Sequence, residues 1–193
     1  MKRMVIIATG LALLAGSAFA QPYPGLPDTA YVGLFKDAAH TGWSVNYVAT
    51  PPAFTIFTMY IFWLPSKMGL QAAEFRISYP SNVIGGSITS NVDLSVQLGT
   101  LPAGISIAFF EANCKTDWVL SHSQMCFLKD ATQSQIMVIE NPAVLPFPAY
   151  QVASCEGGYP IYPVKRFTHL YMNWDGGVAV QSKSWGSIKS LFQ

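Results

Sequence analysis

The chain has 193 residues, and its composition is apolar: 51% of the residues are hydrophobic, 11% are charged and the formal net charge is +1. Soluble domains typically carry about 25% charged residues. Without Lys2 and Arg3, the chain has nine basic and ten acidic residues. It therefore lacks the basic surface that nucleic-acid binding requires. The length suits one domain with a hydrophobic core.

The N-terminus has the three parts of a secretory signal peptide. Lys2 and Arg3 precede the apolar run Met4–Gly16, and the small residues of Ser17–Ala20 follow. A signal anchor is the alternative, but it needs about 20 apolar residues, and this run is interrupted by glycine and threonine. We therefore expect a signal peptide at 1–20, cleavage after Ala20, and a mature chain of 173 residues that is secreted or periplasmic.

No later stretch is long enough to predict a transmembrane helix. The longest apolar segment, Ala53–Leu64, contains Thr55 and Thr58 and is closed by Pro65. At about 3.3 Å per residue it is better explained as a long β-strand.

The mature chain alternates short apolar segments with turn residues. Residues 21–29 contain three prolines and a glycine and predict an extended lead-in. The predicted strands then follow in order: Tyr31–Phe35, Trp43–Val48, Phe54–Leu64, Glu74–Tyr79, a strand through Leu94, Val96 and Leu98, Ile105–Phe110, Trp118–Leu128, Gln133–Ile139, Tyr150–Ala153 and Val164–Trp174.

Several details of this pattern specify the strands further. In the fourth strand Phe75, Ile77 and Tyr79 point to one side and their polar neighbours to the other. Gly85-Gly86 predicts a turn, and residues 129–132 predict a hairpin between the two strands beside them. About ten strands at intervals of 8–12 residues, with little helical periodicity, indicate an all-β antiparallel sandwich or barrel formed as one domain over residues 30–181.

The end of the chain, residues 182–193, is predicted to be a tail with a short amphipathic helix. Ser184 can cap the helix, and Trp185, Ile188 and Leu191/Phe192 recur at three- and four-residue spacing on one side. A helix this short is stable only when docked. The tail is therefore interpreted as a terminal turn that plugs one end of the domain, with a sorting or anchoring tail as the alternative.

Three cysteines follow the predicted cleavage site: Cys114, Cys126 and Cys155. In an oxidising compartment a disulfide is expected, and one cysteine stays unpaired. A Cys114–Cys126 bridge would staple a hairpin, whereas a Cys114–Cys155 bridge would close a longer loop and restrict the unfolded chain more. We favour Cys114–Cys155 and a small buried Cys126, with a catalytic thiol as the alternative.

The sequence contains no recognisable catalytic, cofactor or metal motif. His40, His122 and His169 lack the i, i+4 spacing of a helical metal site, and no Cys-x-x-Cys or Gly-x-Ser-x-Gly occurs. No catalytic, metal or cofactor-binding residue is therefore predicted, and the chain is not expected to be an enzyme. A pair of carboxylates facing a cleft would support a hydrolase instead.

Aromatic residues are the candidates for ligand contact. Trp43, Trp118, Tyr159 and Tyr162 could offer flat faces to a sugar or a peptide, although aromatics also serve as core residues and cross-strand pairs. The segment Phe54–Trp63 is apolar on both sides, which predicts a central strand or a surface buried against another chain, so self-association is a possible outcome.

Two segments resemble known families. Phe54–Leu64 followed by Gln71–Tyr79, above all Ala73–Pro80, is similar to the early strands of cohesin-type domains over about 25 residues. This resemblance implies a jelly-roll β-sandwich that recognises a protein or a polysaccharide-related surface. The cysteines depart from the cohesin pattern. The mature layout, from Tyr31–Phe35 to Ser184–Leu191, also resembles a group of uncharacterised secreted bacterial proteins, which implies no activity.

Together these features predict an exported, noncatalytic β-sandwich of the cohesin-like, jelly-roll type with a short C-terminal helix. Its expected partner is a protein or polysaccharide surface. The alternatives are a carbohydrate-binding module that uses exposed aromatics and a hydrolase with an unrecognised carboxylate pair.

Overall fold

The structure is a computed structural model that describes residues 25–91, 93–110, 114–142 and 150–174. The predicted signal peptide and C-terminal helix lie outside these ranges. Within them the chain forms thirteen β-strands and no helix, and accordingly no helix there is long and apolar enough to cross a membrane.

The strands, in chain order, are β1 (Tyr31–Phe35), β2 (Ser44–Val45), β3 (Thr55–Leu64), β4 (Ala72–Ser78), β5 (Val83–Ser90), β6 (Leu94–Thr100), β7 (Gly104–Phe109), β8 (Val119–Leu128), β9 (Ser134–Ile139), β10 (Gln151–Ala153), β11 (Ile161–Pro163), β12 (Lys165–Thr168) and β13 (Leu170–Met172).

These strands form two sheets. Sheet one has the order β12-β1-β3-β8-β5, and sheet two contains β11-β10-β4-β9-β13-β2, with β7 also paired to β4 and β6 paired to β7. On the edge of β4 away from β7, β10 pairs with its first half and β9 with its second half. Most pairs are antiparallel as predicted, but β1 with β12 and β2 with β13 are parallel. The sheets are therefore mixed.

The core lies between the sheets and is built by alternation. In β4 the predicted alternation is confirmed, because Ala73, Phe75 and Ile77 are buried while the residues between them are half-buried. Trp63 of β3 is fully buried, and its ring packs edge-on against Phe75 at 5.1 Å. The indole N–H donates to Ser121 Oγ at 3.1 Å, so its one polar group is satisfied inside the core.

Gly85-Gly86 does not form the predicted turn, because both residues lie inside β5. The register with β8 shifts between Gly85 and Ile88, which is the irregularity that glycine commonly marks in a strand. A Cβ at Gly85 would lie 2.7 Å from Gln124 Nε2, and one at Gly86 would lie 2.8 Å from Phe127 Cε2. The glycines leave room for side chains of the neighbouring strand.

The predicted hairpin around residues 129–132 is also wrong. β8 pairs with β3 and β5 in sheet one, whereas β9 pairs with β4 and β13 in sheet two. The connection crosses between the sheets, and the Asn82 and Asn173 side-chain amides both donate to Thr132 O at 2.8 Å. Alternation along a strand does not reveal in which sheet the next strand lies. The sequence pattern therefore could not distinguish a hairpin within one sheet from a connection between the two sheets.

Two other predicted strands differ in extent. Val164–Trp174 is divided at His169 into β12 and β13, which belong to different sheets. Trp43–Val48 shortens to the two residues of β2, because the backbone N–H groups of Val48 and Ala49 donate to Thr55 Oγ1 instead of to a strand. β5 and β11 were not predicted.

Candidate functional site

A row of small and apolar side chains crosses the outer side of sheet two. The pairing registers place Ala153 opposite Ala72, Ala72 opposite Ala108, and Ala108 opposite Val96; Ala153 also pairs with Ile161. We name these five residues the alanine row. Its end members Val96 and Ile161 are 47% and 62% exposed. Because the three central side chains are single methyl groups, the row forms a shallow trough between two larger residues.

The burial pattern confirms that this row faces away from the core. In β7 the buried residues are Ile105, Ile107 and Phe109, and Ala108 lies between two of them. In β10 only Val152 is buried, so Ala153 projects to the other side. Five strands at about 4.8 Å spacing make the row about 19 Å wide.

A second row of four side chains, three of them polar, runs beside the alanine row. We name it the polar row. The registers align Leu98, Ser106, Glu74 and Gln151 across β6, β7, β4 and β10. Glu74 Oε1 accepts from Ser106 Oγ at 3.1 Å, and Glu74 Oε2 accepts from Gln151 Nε2 at 2.8 Å. Both carboxylate oxygens thus accept hydrogen bonds from neighbouring side chains, which fixes the orientation of the Glu74 carboxylate.

The disulfide stabilises the edge of this face. Cys114 and Cys155 are bonded as predicted, with Cα atoms 5.9 Å apart. The Cys155 backbone N–H donates to Met68 O at 3.1 Å, which joins the end of β10 to the chain entering β4. Gly69, at φ +75°, leaves room for the two sulfurs, since a Cβ there would lie 2.9 Å from Cys155 Sγ and closer to Cys114 Sγ.

Cys126 is unpaired and buried, as predicted. Its side chain is fully enclosed in the core, and burial raises the pKa of its thiol to about 12. The thiolate is the nucleophilic form of cysteine, so this environment opposes the catalytic alternative for the odd cysteine.

Two of the four aromatic candidates directly precede strands, Trp43 before β2 and Trp118 before β8. Trp118 is half-buried in an aromatic cluster on the outside of sheet one, where His40 stacks on it at 4.9 Å and Phe167 packs against it at 5.3 Å. Trp43 precedes β2 and is 46% exposed. Because His40 already covers one side of the Trp118 ring, this indole does not have both faces free to stack on a sugar.

Tyr159 and Tyr162 lie together in the segment that follows the disulfide, beside the Ile161 end of the alanine row. Tyr162 Oη donates to Glu156 Oε2 at 2.7 Å, and this hydrogen bond raises the pKa of the Tyr162 hydroxyl. Both tyrosines are exposed. Their role as ligand-facing residues stays a prediction.

A shallow depression of about 400 Å³ beside Tyr162 has two carboxylates in its lining. Asp28, Lys67, Glu156 and Tyr162 are among its lining residues. Lys67 Nζ lies 2.6 Å from Asp28, and this hydrogen bond and charge lower the pKa of the Asp28 carboxyl. A catalytic general acid requires a raised carboxyl pKa, so the environment of Asp28 does not support that role.

The described residues contain no group of three or more His, Cys, Asp or Glu side chains able to hold a metal ion. The alanine row was not identified from the sequence. Its signal was present, because each of the strands at 72–78, 104–109 and 151–153 has one alanine at a position that faces away from the core: Ala72, Ala108 and Ala153. The order of those strands in the sheet could not be predicted, and the alanines become neighbours only through that order.

Comparison with solved structures identifies the architecture. The fold is a cohesin-like β-sandwich. A cohesin module from a Clostridium perfringens family 33 glycoside hydrolase matches with a TM-score of 0.52 and 12% identity, over 76% of this chain and 98% of that chain. A type II cohesin domain from the Acetivibrio cellulolyticus cellulosome matches with a TM-score of 0.50 and 14% identity, over 76% and 96%.

The Clostridium thermocellum cohesin of a type I cohesin–dockerin complex also matches, with a TM-score of 0.50 and 9% identity over 76% of this chain and 95% of that chain. No protein-family model and no curated protein matches the sequence. At these identities the likeness establishes the fold alone, and it confirms the cohesin-like resemblance read from Phe54–Tyr79.

Proposed function

We propose that this chain is an exported, noncatalytic β-sandwich that binds a protein partner through the alanine row and the polar row beside it. The observation that carries the proposal is the alanine row itself. Three methyl side chains on adjacent strands leave the backbone accessible over a width that a partner's helix or strand can cover. Apolar surface with an adjacent polar rim is typical of protein interfaces.

The polar row supports the same function because it can set the orientation in which a partner binds. Glu74 presents a carboxylate whose two oxygens are held by Ser106 and Gln151, and a partner cation placed opposite it would fix the register of binding. Leu98, 65% exposed, stands at the outer end of this row. The cohesin-like fold is consistent with this use, since the matching Clostridium thermocellum cohesin is described in a complex with a dockerin.

The disulfide and the N-terminal sequence support export. A Cys114–Cys155 bond is expected to form and persist in an oxidising compartment, and residues 1–20 have the signal-peptide pattern. We accordingly propose a signal peptide at 1–20, a lead-in at 21–29, the β-sandwich at 30–181 and a tail at 182–193.

A polysaccharide surface is the second candidate partner. It is favoured by the exposed Tyr159 and Tyr162 beside the Ile161 end of the alanine row, because aromatic rings at the edge of a flat face can stack on sugars. A polysaccharide array probed with the purified protein and with Tyr162→Ala tests this candidate. We expect the variant to lose binding to a glycan that the parent protein binds.

The protein-binding proposal is tested by differential capture from the producing cell's envelope and medium. The purified protein, Ala108→Arg and Thr89→Arg are immobilised at equal density. Arginine at 108 stands within the trough, between Ala72 and Val96, whereas Thr89 is exposed in β5 of the other sheet. We expect Ala108→Arg to lose the partner and Thr89→Arg to keep it. Equal capture by all three proteins would contradict the proposal.

A further inference from the structure

The outer side of sheet one carries an apolar surface that the proposed function does not use. We name it the β3–β5–β8 patch, formed by Phe54, Ile56, Ile84, Met125 and Phe127. Ile56 and Ile84 pair with Phe127 from its two sides, and the Phe54 and Phe127 rings are 6.1 Å apart. Phe54, Ile56, Ile84 and Met125 are 47%, 62%, 46% and 38% exposed.

None of these five side chains carries a charge or an N–H or O–H group. Thr58, the outward neighbour of Met125, contributes only a hydroxyl, and Gly86 lies beneath the Phe127 ring. A contiguous exposed surface of this kind favours a covering partner, because each apolar side chain removed from water contributes stability.

Tyr47 connects the end of the described chain to the segment that leads into this patch. The Asn173 side chain accepts from the Tyr47 backbone N–H at 2.7 Å, and the Tyr47 hydroxyl donates to Ala53 O at 2.8 Å. Ala53 directly precedes Phe54. Asn173 is therefore linked through Tyr47 to the residue that precedes Phe54, and the sequence continues through residues 175–193.

Those remaining residues have a sequence that matches the patch. Trp185, Ile188 and Leu191/Phe192 recur at three- and four-residue spacing. The nine residues 175–183 can span up to about 30 Å, whereas the three strands of the patch lie about 10 Å apart from first to last. We propose that the segment Ser184–Phe192 docks on the β3–β5–β8 patch of its own chain and places its apolar side against Ile56 and Phe127.

Photocrosslinking of the full-length mature protein tests this contact. Trp185 is replaced by the photoreactive residue p-benzoylphenylalanine, and the crosslinked peptides are identified by mass spectrometry. We expect crosslinks within one chain to residues 54–58, 84–86 or 125–127. In the Ile56→Glu variant their yield should fall about tenfold, the change expected when one apolar side chain leaves a contact.

The controls separate docking from folding. Ile84→Glu should reduce the yield as Ile56→Glu does, and Thr89→Glu, on the same strand but outside the patch, should not; far-UV circular dichroism checks that each variant folds. Crosslinks between two chains that grow with concentration would overturn the proposal in favour of a second copy on the patch. Crosslinks to another surface, or none at all, would overturn it in favour of a free tail. Neither result affects the alanine row.

Discussion

Acidification should destabilise the protein through His122. This residue of β8 is fully buried, its Nε2 lies 3.1 Å from Gln97 Oε1, and the Phe75 ring packs at 6.3 Å. These neighbours carry no negative charge that could stabilise an imidazolium. Burial accordingly lowers the pKa of His122 to about 4, from an ordinary value of 6.5.

The sign and size of the effect follow from this shift. The unfolded chain takes up the proton first as the pH falls, so the stability is complete above about pH 6.5 and is lost progressively toward pH 4. At 1.36 kcal/mol per pKa unit, the whole shift corresponds to about 3 kcal/mol. About 2 kcal/mol of this loss falls between pH 7 and pH 5, where carboxyl groups contribute little.

Urea unfolding at pH 7 and pH 5 measures the loss. The matched variant His122→Gln cannot titrate, so its free energy of unfolding should change by about 2 kcal/mol less than that of the parent protein between these pH values. His169 also has a lowered pKa, owing to burial and to Arg166, and it contributes equally to both proteins. An identical pH dependence in the parent protein and in His122→Gln would show that protonation of His122 does not destabilise the fold.

The remaining predictions concern the disulfide and the core. Replacing Cys114 and Cys155 by serine should lower the free energy of unfolding by about 4 kcal/mol, because the bond closes a loop with a sequence separation of 41; an unchanged urea midpoint would contradict this. Gly69→Ala should cost more than about 2 kcal/mol, since its Cβ would overlap the disulfide at φ +75°. Thermal melts compare this variant with Gly157→Ala, where a Cβ meets nothing within 4 Å and the free energy of unfolding should change by no more than about 0.5 kcal/mol. Trp63→Ala should cost about 3–5 kcal/mol by calorimetry, because it empties the centre of the core.

Local patterns predicted the features that depend on neighbouring residues. The alternation of Phe75 and Ile77 fixed which side of β4 is buried, and the apolar length of Phe54–Leu64 predicted a central strand of sheet one. The Cys114–Cys155 pairing followed from a preference for the longer loop. Each of these depends on physics that acts within one strand or on the unfolded chain.

The features that the sequence did not predict depend on where strands lie relative to one another. β8 and β9 have the pattern of a hairpin, yet a short connection carries the chain between sheets. Gly85-Gly86 has the composition of a turn, but these residues make room for Gln124 and Phe127. The alanine row arises in the same way, because Ala72, Ala108 and Ala153 become neighbours only through the order β10-β4-β7.

Whether a protein partner binds across the alanine row is decided by measuring the affinity of a partner that the capture experiment has identified. Isothermal titration calorimetry compares the parent protein with Ala108→Arg and Thr89→Arg. We expect Ala108→Arg to weaken the affinity at least about tenfold, a change of about 1.4 kcal/mol, and Thr89→Arg to leave it unchanged. An unchanged affinity in Ala108→Arg would show that the partner does not bind across the alanine row.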